Sequence, residues 1–346
     1  MKKLVKSALT LVIALVTVLV LVACGPTEET EGDTLVVGSP EINGDFISGF
    51  GDSAYDNWVR SLIFGYSTYA TTPLGEIVLN ETVVDSLETD VDVDGNKTYT
   101  FVIHDDLLWS DDTPMTAKDF VFGIMFSASK DWVASGAEST SGEALVGYSA
   151  YRAGETTSAD VVFEGVKLIN DYEFSVTIDA VELPYFYETL YAAFGPMPMH
   201  HLAPSSTVLT SDENGTTMTA DGYSQMGDIV SPGGYRYAPI VSSGPYKFVN
   251  FVNQVVTLVK DDNFKGNYLG LTPTIQNIII RRVNSAIDVE LVINGELDLV
   301  TGVIEGEKIE ASAASPNTNQ TYYSRNGYGL LAMQAHFGPT MNYKVR

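Results

Sequence analysis

Thr98-Tyr99-Thr100-Phe101-Val102-Ile103-His104, then Leu108-Trp109-Ser110-Asp111, then Pro114-Met115-Thr116-Ala117-Lys118-Asp119-Phe120-Val121 follow one another between positions 98 and 121. Tyr99, Phe101 and Ile103 recur at every second residue, the spacing of a strand with one buried face. Asp94-Gly95-Asn96 just before them is turn chemistry, so Val91 to His104 reads as a β-hairpin. Thr116 stands three residues ahead of Asp119, which is the spacing of a capping box. Phe120, Ile124 and Met125 then supply the apolar face of a helix. Hairpin and capped helix are therefore expected in that order.

Outward from this stretch the same mixture continues. Leu35-Val36-Val37 ahead of Gly38 reads as a buried strand entering a loop, and Trp58, Leu62 and Ile63 give Asp56 to Tyr66 helical spacing. Val161 to Val166 and Tyr172 to Ile178 read as strands on either side of an Asn170-Asp171 turn, with further strands at Val255 to Val259 and Ile275 to Val283. Ala286 to Ile293 reads as a helix closed by Gly295, and Leu297 to Val300 as a strand after it. No repeat of 20 to 50 residues is visible. The fold class is mixed α/β.

The amino-terminal region has a different character. Lys2, Lys3 and Lys6 precede an apolar run from Ala8 to Ala23, interrupted only by Thr10 and Thr17, which has the form of a secretion signal. The run is shorter than the roughly 20 apolar residues that cross a bilayer, and it ends at Cys24, the single cysteine of the chain. Residues 24–34 are polar and acidic and read as a disordered tether. With one cysteine, stability must come from core burial rather than disulfides. The 346 residues, 45% of them hydrophobic, suffice for more than one domain. A formal charge of −25 argues against nucleic acid and anionic lipid as ligands.

Leu21-Val22-Ala23-Cys24 followed by Gly25 resembles the bacterial lipobox, which implies a signal peptide over 1–23 and diacylation of Cys24. Two acyl chains hold a protein stably at a membrane, where one holds only marginally. The segments from 98 to 121 resemble, in order, the diagnostic run of the peptide, dipeptide and nickel type of extracellular solute-binding protein that serves ABC importers, known as family 5. Four further stations are similar to that family: Gly165-Val166-Lys167 with Phe174-Ser175-Val176-Thr177, Leu183-Pro184-Tyr185-Phe186-Tyr187 as a helix start, Ser243-Gly244-Pro245-Tyr246, and Gly295-Glu296-Leu297-Asp298.

This resemblance implies a periplasmic-binding-protein-like, two-lobed fold of type II with an extra inserted domain. The first-lobe core would comprise 35–68 and 165–282, the inserted domain 69–164, and the start of the second lobe 283–346. Relatives continue beyond the segment corresponding to Phe337 to Arg346, so the second lobe is expected to be incomplete. The partners implied are a peptide ligand, a permease and ATPase complex, and the membrane through Cys24. The protein is expected to be monomeric, without cofactor or metal. A sensor or adhesin on the same fold, or a binder of nickel or another solute, is the alternative.

Clefts that hold peptides by strand addition need accessible backbone. Ser48, Gly49, Phe50 and Gly51 form a glycine-rich loop at the position of the family's peptide-pairing loop, and could equally be a surface turn. Ser243, Gly244 and Tyr246 are the second candidate ligand contacts, in a turn that Gly244-Pro245 would also fix for structural reasons. Asp90, Asp92 and Asp94 begin like a calcium loop, but its twelfth position is Phe101 rather than glutamate, so no calcium site is expected. His200-His201 suggests metal, yet adjacent residues rarely face one ion. Gly51-Asp52-Ser53 echoes the start of a hydrolase motif without its other parts, and neither a Gly-x-Ser-x-Gly elbow nor a His-Glu-x-x-His helix nor a P-loop is present. The chain therefore reads as a binding protein and not an enzyme.

Overall fold

A computed structural model describes residues 33–154 and 161–322, together with 336, 338–342 and 344. Cys24, the secretion signal and most of the expected tether lie outside the described residues.

The strands in chain order are β1 Thr34–Ser39, β2 Tyr69–Thr71, β3 Ile77–Leu79, β4 Val84–Val91, β5 Lys97–Ile103, β6 Val162–Phe163 and β7 Val166–Asn170. They continue as β8 Glu173–Ile178, β9 Leu209–Asp212, β10 Gly215–Met218, β11 Tyr246–Val252, β12 Val255–Lys260, β13 Asn277–Arg282 and β14 Leu299–Val300. Two sheets carry most of the structure. One has five strands in the order β11-β12-β13-β1-β14, and the other four in the order β4-β5-β8-β7.

In the five-stranded sheet β1 lies between β13 and β14 and is parallel to both, with Val37 opposite Ile280 on one side and Leu299 on the other. β11 and β12 close the opposite edge as an antiparallel pair. Val256 and Leu258 alternate inward on β12, as do Ile278 and Ile280 on β13, and they join Val37, Phe46, Val59, Ile63 and Phe248 in one apolar core.

The second core forms where the hairpin expected from the sequence stands. Asp92 closes its turn, its carboxylate accepting the backbone N–H of Asp94 and of Asn96 at 2.9 Å each and the Asn96 side-chain amide at 2.9 Å. That carboxylate is occupied by the turn itself. Tyr99, Phe101 and Ile103 face inward, and Phe101 lies 5.4 Å from Phe174 on β8, which in turn lies 5.2 Å from Phe120. The helix Ala117–Ala128 packs on this sheet and starts at the expected capping box, with the Thr116 N–H donating to Asp119 Oδ2 at 2.9 Å.

Three local expectations are corrected. The helix Ala117–Ala128 does not have a single apolar face: every residue but Lys118 is buried, because the sheet covers one side and the segments around Met197 and Tyr223 the other. The strand before the Asn170-Asp171 turn is Val166–Asn170 rather than Val161 to Val166, and its sheet takes strands from both sides of residue 165. No α-helix begins at Leu183-Pro184-Tyr185-Phe186-Tyr187, where all three aromatic side chains are exposed and no apolar period exists to bury. A 3-10 turn, Glu188–Ala192, follows instead, held by the Tyr99 hydroxyl donating to the Glu188 carboxylate at 2.9 Å and by Lys97 bonded to the same oxygen.

Phe101 is fully buried in the aromatic stack, so Phe101→Ala removes both transfer energy and packing and should lower stability by about 3–5 kcal/mol in urea unfolding. Val93→Ala, at a fully exposed hairpin tip, should change it by less than about 0.5 kcal/mol. Equal midpoints for the two variants would contradict this packing.

Candidate functional site

The helix Ala54–Ile63 places Asp56, Val59, Arg60 and Ile63 on its buried side. Two of those four are charged, and both turn toward the loop that follows β1. The Asp56 Oδ1 accepts the Gly44 N–H at 3.0 Å. Arg60 spans the loop: Nε donates to the Asp45 carbonyl at 2.8 Å, Nη2 to the Gly51 carbonyl at 2.7 Å, and Nη1 to the Asn57 side-chain oxygen at 2.8 Å. From the far side of the sequence, Arg236 pairs with the Asp45 carboxylate, and its own carbonyl accepts the Phe46 N–H at 2.9 Å. The Arg236 guanidinium also lies over the Phe50 ring, 4.5 Å from its centroid.

The loop meets a second element at Gly49. Its φ of +104° is a conformation glycine tolerates, and a Cβ there would stand 2.7 Å from the Trp132 ring. The Gly49 carbonyl accepts the N–H groups of Glu138 at 2.7 Å and Ser139 at 3.2 Å, while Trp132 Nε1 donates to the Ser139 carbonyl at 3.0 Å. Phe50 packs edge-on against Trp132 with centroids 4.7 Å apart. Loop, indole and the 138–141 segment are thereby locked into one wall.

The opposite wall is the segment 193–198. Thr68 holds one end of it, donating its hydroxyl to the Ala192 carbonyl at 2.7 Å and accepting the Phe194 N–H at 3.0 Å. Asp119 holds the other: its Oδ1 accepts the Met199 N–H at 3.1 Å and its main-chain carbonyl the Met197 N–H at 3.0 Å. Gly123 lets this segment approach the helix, because a Cβ would already stand 3.2 Å from the Met197 side chain and 3.3 Å from the Gly195 carbonyl. Between the walls lies a cavity of about 450 Å³, with Phe64, Tyr66 and Ile124 contributing to its lining.

Ser48 and Gly49 line this cavity. Phe50 is buried beneath them, and Gly51 presents its carbonyl to Arg60. The other three candidates lie elsewhere. The Ser243 N–H donates to the Ile63 carbonyl at 3.0 Å and its carbonyl accepts the Gly65 N–H at 3.3 Å, so the turn closes the end of the helix. A Cβ on Gly244 would stand 2.5 Å from the Ile63 main chain. Tyr246 is buried in the five-stranded core and donates its hydroxyl to the Ile275 carbonyl at 3.1 Å. His200 bonds Asp111 at 2.9 Å while the His201 ring packs 5.5 Å from Tyr235. The two imidazoles are thus separately engaged, and among the described residues no group of three His, Cys, Asp or Glu side chains is arranged to hold a metal ion.

Arg60, Trp132, Arg236 and Asp119 were not singled out as site residues from the sequence. For Arg60 a sign existed, since it falls with Val59 and Ile63 on the apolar stripe of its helix. A charge on such a stripe has to be received by something.

The cavity, walled by main chain and aromatic rings, thus lies on a mixed fold built round a parallel strand. The chain matches the family model for bacterial extracellular solute-binding proteins, family 5 Middle, over residues 82–346, and it belongs to that family. It is 25% identical over 206 residues to the periplasmic oligopeptide-binding protein OppA of Salmonella typhimurium, a match covering 59% of this chain and 32% of that protein. The solved structure of OppA from Burkholderia pseudomallei superposes with a TM-score of 0.58 at 19% identity, over 82% of this chain and 48% of that one. The oligopeptide-binding protein AppA of Bacillus subtilis, solved in complex with a nonapeptide, gives a TM-score of 0.56 at 17% identity, over 82% of this chain and 46% of that one. The chain therefore spans less than half the length of each of these relatives. The fold is that of the family's two-lobed periplasmic binding proteins, and the family is one of solute binders and not of enzymes. Among the described residues no helix is long and apolar enough to cross a membrane.

Two outcomes test the loop's anchorage. Hydrogen bonds to a charged group contribute about 1.5–3 kcal/mol each, so Arg60→Met, which deletes three, should cost about 3 kcal/mol or more and raise amide hydrogen exchange over residues 44–51 first. Uniform exchange along the chain would show that Arg60 does not hold the loop.

The second outcome concerns pH. Burial lifts the Asp56 carboxyl above its ordinary value of 3.8; the Gly44 amide opposes this, Asp45 adds to it, and Arg60 opposes it. A raised folded value means the folded state binds this proton more tightly than the unfolded chain does. The stabilisation is fully present below the unfolded value and is lost as pH rises through the folded one. Asn keeps an acceptor for Gly44 without the buried charge. Asp56→Asn should therefore be more stable than the parent at pH 7.5, with an advantage that shrinks toward pH 4, and urea midpoints across that range check the sign.

Proposed function

We propose that the protein captures peptides outside the cell membrane and delivers them to the permease and ATPase of an ABC importer. The observation that carries this reading is the cavity beside Ser48 and Gly49, whose wall is held in place by Arg60 and Arg236. Main chain at a cavity edge suits a ligand that is itself a main chain, with roomy pockets for its side chains. Relatives described as oligopeptide-binding, one of them holding a nonapeptide, support the choice of ligand.

In this reading strands β11, β12, β13 and β1 are the core of the first lobe, and the chain from residue 283 begins the second while sending β14 back to pair with β1. Ser48, Gly49, Phe50 and Gly51 present or support the surface that the peptide main chain meets, Ser243 and Gly244 act on it through the helix end they close, and Tyr246 acts from the five-stranded core beneath that turn. The protein works as a monomer, tethered through a diacylated Cys24 that follows a removed signal peptide.

Native mass spectrometry of the purified protein should show added masses that denaturation releases as peptides, and a mixed peptide library should displace them. Release of a non-peptide solute alone would refute the choice of ligand. Expressed in a bacterial host, the protein should incorporate a labelled fatty acid, and Cys24→Ala should abolish the label and free the protein from the membrane fraction. Label retained by Cys24→Ala would remove the anchor from the proposal.

A further inference from the structure

Of the described side chains lining the 450 Å³ cavity, only that of Arg60 carries a charge. That is unexpected in a chain with a formal charge of −25. The hydroxyls of Tyr66 and Tyr235 add no anion, because burial raises Tyr66 to about 12 and Tyr235 well above its ordinary value.

Among the described residues no carboxylate bonds the guanidinium directly, although Asp56, Asp45 and Asp52 act on it through space. Its three bonds go to the carbonyls of Asp45 and Gly51 and to the Asn57 amide oxygen, all uncharged acceptors. Two of its five N–H groups are left over. Of the nearby carboxylates, that of Asp45 is bonded to Arg236 and one oxygen of Asp56 to the Gly44 N–H, while that of Glu143, outside the cavity, is bonded to the Thr140 hydroxyl at 2.6 Å, and none of these lines the cavity.

Each kind of solute side chain meets this lining differently. An ammonium or guanidinium would give up its hydration, find no carboxylate and face a like charge, which disfavours the charged form in a desolvated place. An uncharged side chain loses little on entry and gains apolar surface from Phe64, Ile124 and Trp132. A carboxylate would meet the spare N–H groups of Arg60. Outside the cavity the sign is reversed, since an acidic surface draws cations toward it.

We propose that this cavity is a charge filter: it seats an uncharged or acidic side chain of the bound peptide and rejects lysine and arginine. The inference rests on the reading of the protein as a peptide binder and assigns a ligand chemistry to this part of the site.

The test uses pentapeptide libraries with one position at a time fixed as norleucine, lysine, glutamine or glutamate, and the rest drawn from uncharged residues. Norleucine is lysine without its ammonium, so the pair isolates charge from size. At one position lysine should bind at least tenfold more weakly than norleucine, with glutamate no weaker than glutamine. Ser141→Asp, on the partly exposed rim, puts a carboxylate at the cavity and should improve the lysine library at that position at least fivefold. Ser48→Asp, at an exposed position, makes the same test should Ser141→Asp lower the thermal midpoint. Lysine and norleucine binding alike at every position, or no gain for lysine in a folded aspartate variant, overturns the charge filter alone. Failure of every library to bind overturns the peptide reading and this inference with it.

Discussion

The carbonyls of Asp45 and Gly51 both end on Arg60, and the carboxylate of Asp45 ends on Arg236. A guanidinium taken out of water needs acceptors, and of the three that Arg60 finds the loop supplies two, the third being Asn57 on its own helix. The need to satisfy Arg60 therefore shapes the chain from 44 to 51 more strictly than any propensity in its Gly, Ser and Phe residues. Affinity is lost when a partner must first be ordered, so a loop already fixed by buried ions presents its main chain without that loss. The wall made by Trp132 and residues 138–141 then follows, since it is bonded to Gly49.

Asp119 has the same kind of double employment. One carboxylate oxygen accepts the Thr116 N–H and completes the helix start, while the other accepts the Met199 N–H and holds the far wall. The motif around it ties the four-stranded sheet to the cavity through a single buried side chain. Its carboxyl, like that of Asp56, is pushed up by burial, against the pull of the amides from Thr116 and Met199.

What could be read in the sequence was what depends on neighbours a few residues away. The Asp94-Gly95-Asn96 turn, the alternation of Tyr99, Phe101 and Ile103 and the Thr116 to Asp119 spacing each carry their meaning locally, and the structure forms them as expected. The strands at Leu35, Val255 and Ile275 were legible as apolar runs, though not their pairing. The burial of Ala117–Ala128 on all sides could not be read, because it depends on where Met197 and Tyr223 come to rest. Ser48 and Gly49 were found by their glycine-rich setting, and they line the cavity. Arg236 was out of reach, since nothing near it signals a partner 191 positions away.

The parallel pairing of β1 with β13 brings Thr34 beside Asn277. No ladder bond of that pair can form until almost the whole intervening chain has been made and gathered in. Contacts this distant in sequence close slowly, whereas the Val84–Val91 and Lys97–Ile103 hairpin needs only its own turn. Sequence separation therefore gives assembly a direction: the hairpin of β4 and β5 closes locally, whereas the strand that feeds the Asp45 to Gly51 loop waits for the most distant pairing. A molecule able to receive a solute at that loop is one in which two segments more than 240 residues apart have already met, so an occupied cavity would report that this sheet has been assembled.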